Sequence, residues 1–201
     1  MRRTLRLGLG MVAVLTASAV VAQPPAGSPT TSDYYPLKKD TKWVYKVGES
    51  NITVQVTAVT PEGATLDTKV NDKSVATEVI QVKPDGIYRS KINGKDIAPP
   101  VKILETKDGK LAAVGATWKV DSKVADQPLK GEWKLTADKE KTKVPLGEFE
   151  AVVVDGAAFE IAGTKTGIKY WFVAGKGIVK LSYNIAGNEA VLELKEFTEG
   201  K

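Results

Sequence analysis

Gly175 and Gly177, within "YWFVAGKGIVK" (170–180), are the residues whose spacing most resembles a chemical motif: a glycine pair able to cradle a phosphate. A dinucleotide fingerprint needs a third glycine at position 180, which is Lys180, and a helix whose N-terminus receives the phosphates. A phosphate-binding loop needs Ser or Thr after Lys176 and a glycine at position 170, which is Tyr170. Both motifs fail. The glycines lead instead into the β-branched run "IVKLSYNI", so the spacing predicts a hairpin whose glycines supply positive φ.

Cysteine and histidine are both absent. That removes thiolate nucleophiles, disulfides, zinc–cysteine sites and Ser-His-Asp or Cys-His catalysis. Only carboxylate, lysine or tyrosine chemistry remains open. Glu148 and Glu150 share a strand face and Glu193 and Glu196 form a second local pair, but both fit a solvated strand face. No alternating Asp/Asn calcium loop is present, so neither a metal nor a cofactor is expected. The chain reads as a non-enzyme. "NIT" (51–53) fits a glycosylation sequon, a tripeptide that chance often supplies.

The elements around these residues are those of an exported β protein. Arg2, Arg3 and Arg6 precede the apolar "LGLGMVAVLTASAVVA", which predicts a signal helix over 1–22 with cleavage before Gln23, or alternatively after Ala19. No cysteine follows to carry a lipid anchor, and no later segment approaches membrane-spanning length. The expected location is periplasmic or extracellular. Three of the 29 basic residues and none of the 24 acidic ones lie in this leader, so the mature balance falls near +2. Such a spread of charge is no footprint for nucleic acid. Residues 23–33 ("QPPAGSPTTSD") read as a flexible tether, and 34–201 as a single domain.

"NITVQVTAV" alternates, with Ile52, Val54, Val56 and Ala58 on one face; "EWKLTA" sends Trp133 and Leu135 one way and Lys134 the other. Turn signals separate such runs: "TPEG", "KPDG", "NG", "KDG" and "AGNE". The pattern predicts an all-β, antiparallel fold of about ten to twelve short strands, as a partly open barrel, curved sheet or sandwich. "DIAPPVKI", with two prolines, is expected to be a crossing loop or an edge. Trp43 and Tyr45 share one face, as do Tyr170 and Phe172, while Trp171 faces the other way. These four rings either fill the core or form the wall of an apolar cavity.

Three stretches in order, "YYPLKKDTKWVYKV" (34–47), "VPLGEFEAVVV" (144–154) and "YWFVAGKGIVK" (170–180), resemble the TapB-like family of exported bacterial proteins of unknown function. Pro36, Trp43, Tyr45, Pro145, Gly147, Phe149, Trp171, Gly175, Gly177, Val179 and Lys180 carry that resemblance. Asp40 stands where glycine is usual, Ala174 where proline is, and Phe172 where tyrosine is common. The resemblance implies a single β-rich domain, similar to the open barrels of periplasmic lipoprotein carriers, and it brings no catalytic residues. Together these readings predict a binding module for an apolar small molecule, a lipid or an envelope protein, with Trp43, Tyr45, Tyr170 and Phe172 as its contacts. The alternative is a structural or assembly protein working through sheet faces or edges. A carboxylate-dependent hydrolase is a third reading.

Overall fold

In the computed structural model, which describes residues 31–201, every strand turns back on its sequence neighbour. In chain order the strands are β1 (Lys42–Val47), β2 (Ser50–Thr60), β3 (Gly63–Val70), β4 (Lys73–Lys83), β5 (Gly86–Ile92), β6 (Lys95–Lys107) and β7 (Lys110–Leu111), followed by β8 (Thr117–Val124), β9 (Gln127–Val144), β10 (Gly147–Ile161), β11 (Thr164–Val173), β12 (Gly177–Ile185) and β13 (Asn188–Thr198). Short turns make antiparallel pairing the only connection available. The order is an up-and-down meander, and β1 pairs with β13 to close it. Twelve strands thus form a closed barrel, with β7 a two-residue partner of β6 outside the ring.

The expected all-β antiparallel fold is present. It is a closed barrel, because the chain's two terminal strands pair and leave no gap between them. Nor are all the strands short: β9 has 18 residues and β10 has 15, with several β-bulges along their shared ladder. The expected leader (1–22) lies outside the described residues, as does most of the tether. Residues 31–33, expected to end that tether, belong to the fold. Thr31–Tyr34 form a 3₁₀ turn in which Thr31 and Tyr34 are buried, and the Thr31 and Thr106 hydroxyls are 2.9 Å apart.

"DIAPPVKI" lies inside β6, a correction to the crossing-loop or edge expectation, since β6 has the neighbours β5 and β8. The prolines still act as their chemistry dictates. Lacking N–H groups, they cannot extend a ladder, and β6 meets β8 only through Ile97↔Val124 and Ala98↔Lys123. Beyond them side chains bridge the seam: Ser122 Oγ donates to Pro99 O (2.5 Å) and Trp118 Nε1 to Lys102 O (2.9 Å).

Alternation sorts the walls. On β8 and β9, Val120, Ser122, Leu129, Trp133 and Leu135 are buried, while Lys119, Asp121, Lys123, Lys130, Glu132 and Lys134 are exposed. On β2, Val56 is fully buried and Ile52 and Val54 half-buried; a bulge after Val56 breaks the phase before Ala58. Part of the interior is filled by an aromatic stack in which Trp133 meets Phe159 (4.5 Å between centroids) and Tyr170 (5.4 Å), and Tyr170 meets Phe172 (5.6 Å). Gly156 makes room for it, because a Cβ there would sit 2.4 Å from Phe159 Cε2 and 2.6 Å from Trp133.

Candidate functional site

The segment preceding β1 covers one mouth of the barrel. The Gly175 N–H donates to Asp33 O (2.7 Å), Asp40 N–H to Val56 O (2.9 Å), and Tyr35 stacks on Trp43 with centroids 5.6 Å apart. The hairpin predicted at 175–177 is present, its turn running over 174–176, with φ of 73° at Gly175 and 82° at Gly177. Trp43 Nε1 donates to Lys176 O (2.6 Å) and Tyr45 Oη to Ile178 O (2.7 Å). The glycine pair is therefore an architectural turn held against the covering segment.

The four rings singled out from the sequence all point inward. Trp43, Tyr170 and Phe172 have no exposed surface and Tyr45 is 5% exposed. Tyr170 and Phe172 pack together, whereas Trp43 and Tyr45 sit on another wall and hydrogen-bond to the β11–β12 turn and β12. Trp171 faces outward beneath two lysines, with Lys169 Nζ 4.8 Å and Lys180 Nζ 5.5 Å from its ring, and Glu140 accepts its N–H at 2.8 Å. Glu148 and Glu150 are exposed, and Glu193 pairs with Lys180 at 3.1 Å.

Two residues that sequence reasoning passed over stand at mid-barrel. Glu78 on β4 and Arg89 on β5 form an ion pair, Nε to Oε2 at 2.5 Å. Tyr35, Tyr170 and Tyr183 lie within electrostatic reach of the guanidinium, and Tyr45 within reach of Glu78. Burial alone would pull Arg89 down; Glu78, helped by the phenols, outweighs it and holds the guanidinium above its ordinary value. Burial likewise pushes Tyr35, Tyr45, Tyr170 and Tyr183 up, so these phenols stay neutral.

Although ringed by buried groups, Arg89 and Glu78 keep 19% and 22% of their side-chain surface open. The open surface belongs to other atoms of the two side chains, because Arg89 Nε and the neighbouring Tyr170 hydroxyl are themselves sealed. Burial around the pair is graded along the barrel. Inward positions near the mouth away from the covering segment, Ile52, Thr68, Ala76, Ile92, Tyr183 and Leu192, are half-buried, whereas those on the opposite wall are fully buried. An eight-stranded barrel is just wide enough for its side chains to fill, and the diameter grows with strand number. Arg89 Nε meets Glu78 as an ion pair without good hydrogen-bond direction, and the Arg89 side chain also reaches the buried Tyr170 phenol, opposing the upward push of burial there.

Against known proteins, no family model and no curated protein matches this chain. Solved structures do. A lipoprotein candidate from Parabacteroides distasonis ATCC 8503 aligns with a TM-score of 0.56 at 14% identity, over 86% of this chain and 100% of its own. An exported-protein candidate with a YmcC-like fold from Bacteroides fragilis NCTC 9343 aligns with a TM-score of 0.55 at 11% identity, over 82% and 98%. At such identities the likeness shows the fold: this chain shares the barrel architecture of those two proteins.

Proposed function

We propose that this protein is an exported, non-catalytic binding module that takes an apolar small molecule or acyl chain into the half-open interior of its barrel. The observation that carries this reading is the partial exposure of Glu78 and Arg89 inside a ring otherwise built of buried aromatic and aliphatic side chains. A concave, largely apolar space with a few convergent polar groups is the usual form of a small-molecule site. The outer wall supports work in water: the lysines and acids of β8 and β9 would cost about 2–4 kcal/mol per Lys at the midplane of a bilayer. Export rests on the leader read from the sequence, and the names of the two structural neighbours agree with it. Barrel closure weighs against assembly through sheet edges, because among the described residues the twelve strands of the ring each have a neighbour on both sides. Titrating the mature domain with a neutral solvatochromic dye such as Nile red tests the reading. Saturable binding near one dye per chain is expected; linear, unsaturable partitioning would overturn it.

A further inference from the structure

We infer that the cleft between the covering segment and the mouth ends of β2, β3 and β4 is a second binding site, one that takes an anionic amphiphile such as a fatty acid. Strand register supplies its apolar wall. Val59 pairs with Ala64 and Ala64 with Ile80, so the three side chains share one face. Ala64 and Ile80 are buried, which makes this the inner face. Val82 lies two residues beyond Ile80 and opposes the fully buried Ile87, so it points inward as well. Val59 and Val82 nevertheless keep 54% and 37% of their surface open. Inward-directed valines stay exposed only where nothing lies over them. Tyr35 and Leu37 of the covering segment line the other side of the gap, whose volume is about 970 Å³. That is the size and shape of a small-molecule cleft.

The rim decides which head the amphiphile carries. Lys38 and Glu199 neutralise each other at 2.7 Å, which leaves Lys39, Lys83 and Lys201 against Asp33 among the charged side chains lining the cleft. Lys83 Nζ stands 4.7 Å from the centre of the Tyr88 ring, a contact that leaves its charge uncompensated. Lys39 belongs to the covering segment and Lys83 to β4, so an anionic head at the rim is attracted from both walls. Its chain then lies on Val59, Ala64, Ile80 and Val82, where apolar surface leaves water. Neither Glu78 nor Arg89 lines this cleft, so the site stands or falls independently of the binding space proposed inside the barrel.

The test is fluorescence titration of the mature domain with cis-parinarate, a straight-chain carboxylate, at pH 8 and low salt and below its aggregation concentration. Saturable binding is expected. Laurate should displace the probe at a concentration about fivefold or more below that of dodecanol, its neutral counterpart of equal chain length. Lys39→Gln combined with Lys83→Gln, both at exposed positions, should erase that preference with the fold intact. Val82→Glu puts a carboxylate on the apolar wall and should weaken parinarate binding by a similar factor, whereas Ala76→Trp inside the barrel should leave it unchanged. Equal displacement by laurate and dodecanol, an unchanged preference in the double lysine variant, or loss of parinarate binding in Ala76→Trp overturns the inference. Saturable Nile red binding beside a failed parinarate titration overturns it too, and leaves the binding reading standing. Parinarate binding with no saturable Nile red binding supports this cleft and sinks that reading alone.

Discussion

Trp43 Nε1 donates to Lys176 O at 2.6 Å, a contact spanning 133 residues that ties the first strand of the barrel to the β11–β12 turn. The glycines beside it are unequal. A Cβ at Gly175 would meet nothing within 4 Å, whereas one at Gly177 would lie 3.0 Å from Tyr35 Cδ2 and 3.3 Å from Trp43 Nε1. Both hold positive φ. Gly175→Ala is expected to cost about 1 kcal/mol from backbone strain alone. Gly177→Ala should cost about 2–3 kcal/mol, because it also displaces the covering segment. Urea denaturation of both variants measures the gap; equal losses would contradict the packing described for Gly177. Millimolar nucleotide should leave both melting curves unmoved.

The Glu78–Arg89 pair makes a second prediction. Arg89→Met strands a carboxylate inside the barrel and should cost about 3 kcal/mol, the low end for a buried pair since a fifth of its surface is open. The double change Glu78→Leu with Arg89→Met removes both charges and should recover most or all of that stability. A double variant as unstable as the single one would mean the residues do not interact as drawn.

Alkaline titration makes a third. All six tyrosines are held above their ordinary value, burial being the largest cause for each. A raised phenol favours the folded state below its unfolded value of about 10, and that contribution is lost as pH climbs from there through the folded value. Phenolate absorbance at 295 nm should therefore stay low in the folded protein past pH 10 and rise cooperatively as the barrel unfolds. Smooth titration of several tyrosines near pH 10 in folded protein would contradict the buried interior.

Much of this architecture was legible in the chain. Alternation in "EWKLTA" placed Trp133 and Leu135 inside and Lys134 outside, and the failed phosphate motifs at 170–177 left the hairpin that the positive φ values bear out. Closure was not legible, because pairing of β1 with β13 joins residues about 150 positions apart, as in Tyr45↔Leu194, and has no local signal. The proline pair in β6 misled as to strand identity but marked the place where the ladder to β8 stops. The charged pair was missed for two reasons. Glu78 stands in phase with Ala76 and Ile80 in "ATEVI", a charge on an apolar face that could have been noticed. Arg89 is in phase with Ile87, but a bulge at Ser90 shifts the alternation of "IYRSKI", so a reading phased on Ile92 turns Arg89 outward.

The most direct test of the central claim is to fill the proposed binding space and leave the rest of the barrel alone. Ala76 lies on the same face of β4 as Glu78 and is half-buried, so Ala76→Trp places an indole in the proposed binding space. Lys134→Trp adds the same ring to the exposed outer face of β9 as a control. Nile red titration of the folded variants should show binding abolished in Ala76→Trp and unchanged in Lys134→Trp. Undiminished binding in a folded Ala76→Trp protein would contradict the account and place any apolar ligand outside the barrel.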